Sequence, residues 1–456
     1  MRQRVDDWHA KRDGEGEAVH RKDTLMRVCF YTLGCKVNLN ETGALEQMFR
    51  GAGFTIVPEG EEADVFVVNS CTVTNFGDQK SRKWLRRAKR ENPGAVTVLT
   101  GCYPQAFPEE AANFMEADLV CGNGDRKAIL DNVLKLLDGH ERIVAVQPHK
   151  RGELFEELPV ERFETHTRAF IKVEDGCNRQ CAYCVIPRAR GPVRSRAEAS
   201  ILNELHQLAA AGYREVVLSA ISLPSYGLDT GTNLVELVEK CAQVEGIQRI
   251  RLGSLDPDML TPEFITRLAA VDKLCPQFHL SLQSGCSATL RRMRRVYTAE
   301  QYAKVVADLR AAYGERPVSF TTDCICGFPG ETAADFEESC AFLKEIGFLK
   351  VHVFPYSRRS GTPAYDFPDQ VHEREKQDRS RKMNALAEDI RRDVLKGYEG
   401  MEDEVLLETP LSETLFTGYT RLYVPVVVSA PGHKSGEIVR VRLGEYDGER
   451  VRAALC

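Results

Sequence analysis

Residues 169–184 read AFIKVEDGCNRQCAYC. The apolar run that opens this stretch predicts a buried strand, and three cysteines, Cys177, Cys181 and Cys184, lie on the loop that follows it. Three thiolates on one loop can bind three irons of a four-iron cluster and leave the fourth iron open to a substrate. A zinc knuckle is the alternative, but structural zinc takes four ligands, and no fourth Cys or His stands nearby at a knuckle spacing. The stretch therefore predicts an iron–sulfur cluster at the carboxyl end of a strand.

Strand-like and helix-like stretches alternate from this point toward the C-terminus. The further predicted strands are EVVLSAIS (215–222), RIRLGS (249–254), FHLSLQS (278–284), VSFTTDCICGF (318–328) and LKVHVFPYS (349–357). Six strand–helix units predict a partial or complete parallel β/α barrel, whose working face lies at the carboxyl ends of its strands. From about residue 400 the pattern changes to short β runs separated by Gly and Pro, which predicts a small β-barrel.

The N-terminal part alternates in the same way and is predicted to form a doubly wound parallel α/β sheet. Its first three strands, MRVCFYTLGC (26–35), ADVFVVNSC (63–71) and AVTVLTGC (95–102), each end in a cysteine. Because ligands collect at the carboxyl ends of parallel strands, Cys35, Cys71 and Cys102 should converge and could hold a second cluster with an open iron. The alternative is three independently buried cysteines.

Length and composition limit the class of protein. A chain of 456 residues suggests two or three domains, and 43% hydrophobic residues are ample for their cores. No apolar run is long enough for a membrane span, and the N-terminus has no signal-peptide core, so we expect a cytoplasmic protein without a membrane partner. The net charge of −6 excludes a uniformly basic nucleic-acid binder but not local basic patches.

Fifteen cysteines in a reducing compartment are unlikely to form disulfides, so some of them should bind metal. The cysteines outside the two sets of three are expected to be structural, because Cys is often buried as a small apolar residue. They are Cys29, Cys121, Cys241, Cys275, Cys286, Cys324, Cys326, Cys340 and Cys456.

Across residues 26–456 the sequence resembles the radical S-adenosylmethionine (SAM) methylthiotransferases. The strings that carry the resemblance are LGCKVN, NSCTVT, TGCYPQ, DGCNRQCAYCVIPRARG, RLGSLDPD, HLSLQSG, GFPGET and FPYSRRSGTPA. GCKVNLNET and SCTVTN are most similar to the branch that acts on N6-threonylcarbamoyladenosine at tRNA position 37. The polar, aperiodic N-terminus predicts a disordered leader at 1–25, and a charged, irregular stretch predicts a linker at 141–167. The resemblance implies a cluster domain at 26–140, a radical SAM barrel at 168–396 and a TRAM-like RNA-binding barrel at 397–456.

The family's activity would be transfer of a methylthio group to C2 of the adenine. Two [4Fe–4S] clusters and SAM would be the cofactors, with SAM serving as methyl donor and, at the cluster of Cys177, Cys181 and Cys184, as radical source. An aromatic C–H has no useful acidity, so radical chemistry supplied by a cofactor is the available route. The expected partners are a tRNA anticodon loop, whose unpaired base can be splayed into a pocket, and an electron donor such as flavodoxin or ferredoxin.

Residues at barrel strand ends are candidates for the SAM pocket, with turn and core roles as the alternative. These candidates are Tyr183, Ser254, Ser281, Gln283 and Gly327. For RNA, the candidates are the helix Lys80–Arg90 with seven basic residues and no acid, the arginines at 291, 292, 294 and 295, and those at 188, 190, 194 and 196, which could instead meet the SAM carboxylate.

Three alternative functions remain open from the sequence. The chain could methylthiolate isopentenyladenosine at tRNA position 37 or a ribosomal-protein side chain, or it could be a non-catalytic iron–sulfur protein that binds RNA. Basic patches favour RNA over a protein substrate, and open cluster irons favour catalysis over a structural cluster.

Overall fold

The structure, a computed structural model, describes residues 25–158 and 167–456. Most of the predicted leader at 1–25, and residues 159–166 of the predicted linker, therefore lie outside the described residues. The chain divides into two compact units. The first holds the described residues up to 158 with Gly176–Asn178 and Val185–Pro192, and the second holds the remainder. This division is coarser than the five predicted segments, whose boundaries stay a prediction.

The first unit is built on a six-stranded parallel sheet. Its strands are β1 (Arg27–Thr32), β2 (Thr55–Val57), β3 (Val65–Ser70), β4 (Val96–Gly101), β5 (Leu119–Cys121) and β6 (Ile143–Ala145), in the order β2-β1-β3-β4-β5-β6. The two central strands, β3 and β4, are buried along their whole length, as expected when helices cover both faces of a sheet.

The helices of this sheet are α1 (Lys36–Gly51), α2 (Asn75–Glu91), α3 (Cys102–Ala106), α4 (Pro108–Ala112) and α5 (Lys127–Leu137). The start of α2 is fixed by Thr74, whose side chain accepts a hydrogen bond from the amide of Gly77. Its buried residues Ser81, Leu85 and Ala88 recur every three or four positions and form one face. Three apolar clusters pack against the sheet, one around Phe49 and Val67, one around Tyr103 and one around Phe66. The doubly wound fold predicted for the N-terminal part is confirmed.

The second unit contains an open parallel barrel. Its strands are β7 (Ala169–Lys172), β8 (Glu174–Asp175), β9 (Arg194–Ser195), β10 (Glu215–Ser219), β11 (Arg249–Leu252), β12 (Ser254–Leu255), β13 (Gln277–Leu280), β14 (Ser319–Cys326) and β15 (Lys350–Pro355). Parallel sheets β11-β10-β7 and β12-β13-β14-β15 form the wall, and β8 pairs with β9 antiparallel. The predicted strand 249–254 is split at Gly253, whose amide donates to the Leu218 carbonyl at 2.8 Å. The prediction of a partial β/α barrel is confirmed.

The remaining helices are α6 (Ile186–Arg190), which belongs to the first unit, and α7 (Glu198–Ala210), α8 (Leu234–Ala242), α9 (Pro262–Ala269), α10 (Ser287–Arg292), α11 (Ala299–Tyr313), α12 (Ala333–Ile346) and α13 (Glu373–Lys396). Two of them start with capping boxes, Thr298 with Gln301 and Thr332 with Asp335. Among the described residues, no helix combines the length and apolarity needed to cross a membrane.

The predicted C-terminal β-barrel is present as five strands in a closed order, β16-β17-β18-β20-β19. They are β16 (Glu402–Pro410), β17 (Leu415–Thr420), β18 (Pro425–Ser429), β19 (Ile438–Tyr446) and β20 (Val451–Leu455). The core of this barrel includes Leu349 and Leu395 from outside it, so it shares an apolar core with the rest of the second unit. Arg251 of β11 donates to the carbonyls of Thr420 and Arg421 at 3.2 and 3.1 Å.

The buried carboxylate of Glu215, on β10, pairs with Arg251 and Arg249 of β11. Its oxygens lie 3.0 Å from Nε of Arg251 and 3.4 Å from Nη1 of Arg249, and all three side chains are at most 1% exposed. Burial alone would raise the pKa of Glu215, but Arg251, Arg168 and Arg249 outweigh burial and lower it. The ionised form is therefore the form that stabilises the fold.

We predict that Glu215→Gln lowers the free energy of unfolding of the second unit by about 3–5 kcal/mol, because it leaves buried arginines uncompensated. Glu198→Gln removes the partner of Lys240 at the surface and should leave the urea midpoint almost unchanged. Urea titrations of both variants measure the difference. Since the folded pKa of Glu215 is lowered, its contribution is complete above the ordinary Glu pKa of about 4.3 and is lost as pH falls through the folded value. Equal midpoints for the two variants at pH 7 would contradict the prediction.

Candidate functional site

Three cysteines lie at the carboxyl edge of the first sheet. Cys35 precedes α1 just beyond β1, Cys71 follows β3 directly, and Cys102 begins α3 directly after β4. Because β1, β3 and β4 are neighbours and run parallel, their ends meet at one edge. The three side chains differ in exposure, Cys35 being exposed, Cys71 half-buried and Cys102 buried.

The structure brings these three thiols together. A Cβ on Gly34 would lie 3.2 Å from Cβ of Cys71, so the loop before Cys35 packs against the loop of Cys71. Burial and the neighbouring thiols of Cys102 and Cys35 raise the pKa of Cys71 to about 12, although a hydrogen bond from the Val73 backbone opposes the rise. Without a cation Cys71 and Cys102 are therefore protonated thiols, and a bound metal ion would deprotonate them, since coordination deprotonates a thiol outright.

The buried side chains of Asn38 and Asn69 link the segments next to Cys35 and Cys71 by hydrogen bonds. The thiol of Cys35 donates to Oδ1 of Asn38 at 3.3 Å, and Nδ2 of Asn38 donates to Oδ1 of Asn69 and to the Ser70 carbonyl, both at 3.2 Å. Nδ2 of Asn69 returns a bond to the Asn38 carbonyl at 3.0 Å. These side chains therefore add to the pairing of β1 with β3, which the amide of Leu33 extends by donating to the Asn69 carbonyl at 2.9 Å.

A buried charge network adjoins Cys102. Nε of Arg190, from α6, donates to Sγ of Cys102 at 3.2 Å, and Nη2 of Arg190 donates to Oε2 of Glu41 at 3.1 Å. Arg126 binds the other oxygen of Glu41 at 2.6 Å. Arg190 and Glu41 are fully buried, and Arg126 is 2% exposed. Burial raises the pKa of Cys102, and the charge of Arg190 opposes that rise.

Sequence reasoning missed Glu41 and Arg126 and placed Arg190 among residues for RNA phosphate or the SAM carboxylate. Asn38 and Glu41 lie three residues apart in α1 and so share a face, but the sequence predicts a helix only from about Asn40. The partners come from residues 85 and 149 positions away from Glu41, which no local pattern reveals.

The loop after β8 carries Cys177, Cys181 and Cys184. In the second unit the amide of Cys184 donates to the Cys181 carbonyl at 3.1 Å, which makes a tight turn between these two cysteines. The intervening residue Ala182 is held by the Met293 carbonyl and by the amide of Ala364, at 2.9 and 2.8 Å. In the first unit the amide of Cys177 donates to the Gly191 carbonyl at 3.0 Å.

Arg295 is bound to the turn that carries Cys181. Its Nη1 donates to Sγ of Cys181 at 3.3 Å, and its Nη2 donates to the carboxylate of Asp256. A second arginine, Arg179, also pairs with Asp256, at 3.4 Å. One of the four arginines that the sequence suggested as an RNA patch therefore supports a cysteine of the loop instead.

Comparison with known proteins decides the family. Residues 27–122 match the profile described as "Uncharacterized protein family UPF0004", and residues 171–343 match the Radical SAM superfamily. The chain is 40% identical over 425 residues to the threonylcarbamoyladenosine tRNA methylthiotransferase MtaB of Bacillus subtilis, covering 92% of this chain and 94% of that protein. It is 34% identical over 426 residues to the tRNA-2-methylthio-N(6)-dimethylallyladenosine synthase of Carboxydothermus hydrogenoformans, covering 91% and 96%.

The chain belongs to the radical SAM methylthiotransferase family. Among solved structures, the radical SAM methyltransferase TsrM of Kitasatospora setae matches with a TM-score of 0.54 at 15% identity, covering 75% of this chain and 77% of that one, which shows a shared fold. The resemblance found in the sequence, and the MtaB branch within it, are confirmed.

The cofactors expected for this methylthiotransferase, SAM and two [4Fe–4S] clusters, are those of its family. The donor set of the first unit fits one cluster, because the three cysteines lie at neighbouring strand ends, Asn38 and Arg190 link Cys35 to Cys102, and each thiol can bind a different iron. Two other groups of side chains in the described residues have ligand atoms close enough to share a single metal ion. One is His279, Asp323 and His352, and the other is Cys286, Asp335 and Glu338.

The predicted SAM residues of the methylthiotransferase all lie in the second unit. The hydroxyls of Ser254 and Ser281 are 2.8 Å apart, and Tyr183 packs edge-on against Phe328 with ring centroids 6.5 Å apart. Gln283 adopts a left-handed backbone with φ of 71°. Gly327 has a φ of 73°, and its amide donates to Glu331 at 2.6 Å. A Cβ on Gly327 would lie 2.5 Å from Cγ of Lys376, so only glycine fits there.

The expected RNA patches are more paired than their sequence suggested. On α2, Arg86 binds Glu116, and Lys89 binds Asp118 at 2.7 Å. Arg190, Arg194 and Arg196 are buried, whereas Arg188 is exposed. Lys80, Lys83, Arg291 and Arg294 remain exposed basic residues.

A cavity of about 720 Å³ opens in the first unit and was not foreseen from the sequence. Its lining includes Gln105, His149, Cys177, Asn178 and Arg188, with several prolines between them. The His149 ring is fixed by Glu153 at 2.9 Å. This volume lies within the range of about 300–1,000 Å³ that small-molecule sites occupy.

Of the nine cysteines expected to be structural, seven are buried, Cys340 is half-buried and Cys456 is exposed.

Proposed function

We propose that the protein methylthiolates C2 of N6-threonylcarbamoyladenosine at position 37 in the anticodon loop of tRNA. The observation that carries this proposal is 40% identity to the MtaB enzymes of Bacillus subtilis and Aquifex aeolicus, over 92% and 84% of the chain. The dimethylallyladenosine synthase of Carboxydothermus hydrogenoformans, at 34% identity, keeps N6-dimethylallyladenosine as the second candidate substrate.

We propose that Cys35, Cys71 and Cys102 hold the cluster that carries sulfur. Three ligands leave one iron open, which a sulfur-transfer site needs and a closed structural cluster does not offer. The support is the convergence of the thiols at one sheet edge and the N–H donor that Arg190 provides to Sγ of Cys102.

We propose that Cys177, Cys181 and Cys184 hold the cluster that cleaves SAM. The residues of the SAM pocket would be Tyr183, Ser254, Ser281, Gln283 and Gly327. Arg295 would keep Cys181 in position through its bond to Sγ and its pairing with Asp256. When bound, SAM and the two clusters would supply the electron, the methyl group, the sulfur and the radical that the reaction requires.

For RNA binding we propose the exposed basic residues Lys80, Lys83, Arg291 and Arg294, together with the C-terminal barrel. Exposed lysines and arginines bind phosphates without reading sequence, so they would orient the anticodon loop while the active site selects the base. An electron donor such as flavodoxin or ferredoxin is the further partner we propose. Because tRNA is found in the cytoplasm, we propose that the enzyme acts there.

The substrate is tested by mass spectrometry of nucleosides from cells with and without this gene. We expect loss of the methylthio derivative and retention of threonylcarbamoyladenosine in the deleted strain. Loss of the methylthio derivative of dimethylallyladenosine would instead assign the second substrate. An unchanged set of nucleosides would refute a role in tRNA modification.

Two cysteine variants separate the clusters. We predict that Cys71→Ala loses about four irons per chain and forms no methylthio product, yet still cleaves SAM to deoxyadenosine, because that step needs only the other cysteine set. Cys181→Ala should lose deoxyadenosine production. Cys340→Ala, a half-buried cysteine on α12, is the matched control and should behave as wild type. If Cys71→Ala methylthiolates tRNA at the wild-type rate, the three strand-end cysteines are core residues.

A third variant tests the bond to Cys102. We predict that Arg190→Gln lowers the reduction potential of the first cluster by roughly 50 mV, because N–H donors to cluster sulfur favour the reduced state. The measurement uses Cys177→Ala/Cys181→Ala/Cys184→Ala protein, so that one cluster is titrated. Arg188→Gln is the control, since Arg188 is exposed two residues earlier. A potential equal to that of the control would show that the bond to Cys102 does not tune the cluster.

A further inference from the structure

The inner face of the barrel wall carries polar side chains at alternate positions. In the strand register His279 of β13 stands opposite Thr321 of β14, and Asp323 of β14 stands opposite His352 of β15. The intervening residues Phe278 and Phe320 are buried. Since side chains alternate across a strand, the polar residues and the phenylalanines lie on opposite faces of the sheet.

The phenylalanine face is the one that packs on helices. The ring of Phe278 lies 5.9 Å from the ring of Tyr313 on α11, and Arg310 of the same helix stacks over Phe320 at 5.3 Å. His279, Asp323 and His352 therefore face the barrel interior. They stay half-exposed although they lie on adjacent strands of the wall, with His279 at 19% and Asp323 at 34% exposure, so solvent reaches this face.

The three side chains form one cluster. Nδ1 of His279 lies 3.0 Å from Oγ1 of Thr321, and Nε2 of His279 lies 3.4 Å from Oδ2 of Asp323. The rings of His279 and His352 are 6.1 Å apart, and one ligand atom from each member lies within 4.8 Å of the others. Thr321 and Asp323 thus fix the orientation of the His279 ring.

The place of the cluster suits a group that enters from the working face. His279 is the next-to-last residue of β13, and Asp323 and His352 each stand three residues before the end of their strands. The carboxyl ends of parallel barrel strands form the catalytic face, so a base bound there can direct a substituent onto this inner wall.

We propose that His279, Asp323 and His352 form a subsite for the polar N6 substituent of the substrate base and select it over an alkenyl substituent. The proposal rests on the function proposed above. A threonylcarbamoyl group carries a carboxylate, a hydroxyl and a urea N–H. The imidazoles can donate to the carboxylate, and Asp323 can accept from the hydroxyl or the urea. A dimethylallyl group can make none of these hydrogen bonds and would exclude water from the half-exposed side chains of His279 and Asp323, and a site built to hydrogen-bond rejects an analogue that cannot.

His352→Leu and His352→Gln test the subsite with two otherwise identical tRNAs, one with threonylcarbamoyladenosine and one with dimethylallyladenosine at position 37. We expect the ratio of kcat/KM for the first over the second to fall at least tenfold in His352→Leu, mainly through KM, and His352→Gln, which keeps a donor, to restore much of it. His206→Leu, an exposed histidine on α7, is the matched control. Binding affinity for each tRNA, measured without turnover, should shift in the same direction.

Several results would overturn the subsite. Equal loss on both tRNAs, or no change on either, would show that His352 does not read the substituent. Asp323→Asn and His279→Gln, which keep the shape of the cluster, take the place of His352→Leu if that variant does not fold. A stoichiometric metal ion beyond the cluster irons that disappears in Asp323→Asn would show that the cluster is a metal site, since two histidines and a carboxylate also suit a divalent ion. If wild-type enzyme modifies only the dimethylallyl tRNA, the proposed function fails; if wild type modifies the threonylcarbamoyl tRNA and the ratio does not move, only the subsite fails.

Discussion

A buried thiol ionises only where nearby charge compensates it, and this constraint acts on Cys71 and Cys102 at the sheet edge of the first unit. Burial first, and then the neighbouring thiols of Cys102 and Cys35, raise the pKa of Cys71. Arg190 opposes such a rise at Cys102, but a buried guanidinium requires a counter-charge, which Glu41 provides. Glu41 is in turn shared with Arg126. The cysteine site is therefore next to a series of compensating charges that runs from Arg190, at Cys102, through Glu41 to Arg126.

The order of the parallel strands explains how much of the cysteine site could be predicted from the sequence. Parallel strands that each end in a cysteine must bring those cysteines to one edge, so Cys35, Cys71 and Cys102 could be grouped from strand order alone. The short strand β2 was not foreseen, because three residues give no periodicity, and the split at Gly253 depends on a backbone contact with Leu218. Arg190 was expected to bind an RNA phosphate or the SAM carboxylate, because its partner Glu41 lies 149 residues away and no local pattern links the two.

A count of charges along α2 gave a wrong expectation for the same reason, because the acids that pair with its basic residues lie elsewhere in the sequence. Seven basic residues without an acid in the segment indicated an unpaired surface, but the acids Glu116 and Asp118 reach it from a later part of the chain. The Arg86–Glu116 pair lies at the surface and contributes at most about 1 kcal/mol, whereas Lys89–Asp118 is half-buried and Asp118 also accepts hydrogen bonds from Thr97. The Arg86–Glu116 pair is thus open to competition from another anion, and the net charge of this helix face is lower than the helix sequence alone indicates.

Substrate choice in this family has to reside in side chains that touch the base. The reactive groups belong to SAM and the clusters, and they act on C2 whichever substituent N6 carries. Relatives at 40% and 34% identity are named for a threonylcarbamoyl and for a dimethylallyl adenine, so one fold serves both kinds of base. An apolar alkenyl group gains nothing from hydrogen-bonding partners and would desolvate them at a cost. A half-exposed wall of His279, Asp323 and His352 is therefore poorly suited to an alkenyl group and well suited to a substituent that can replace the water it excludes.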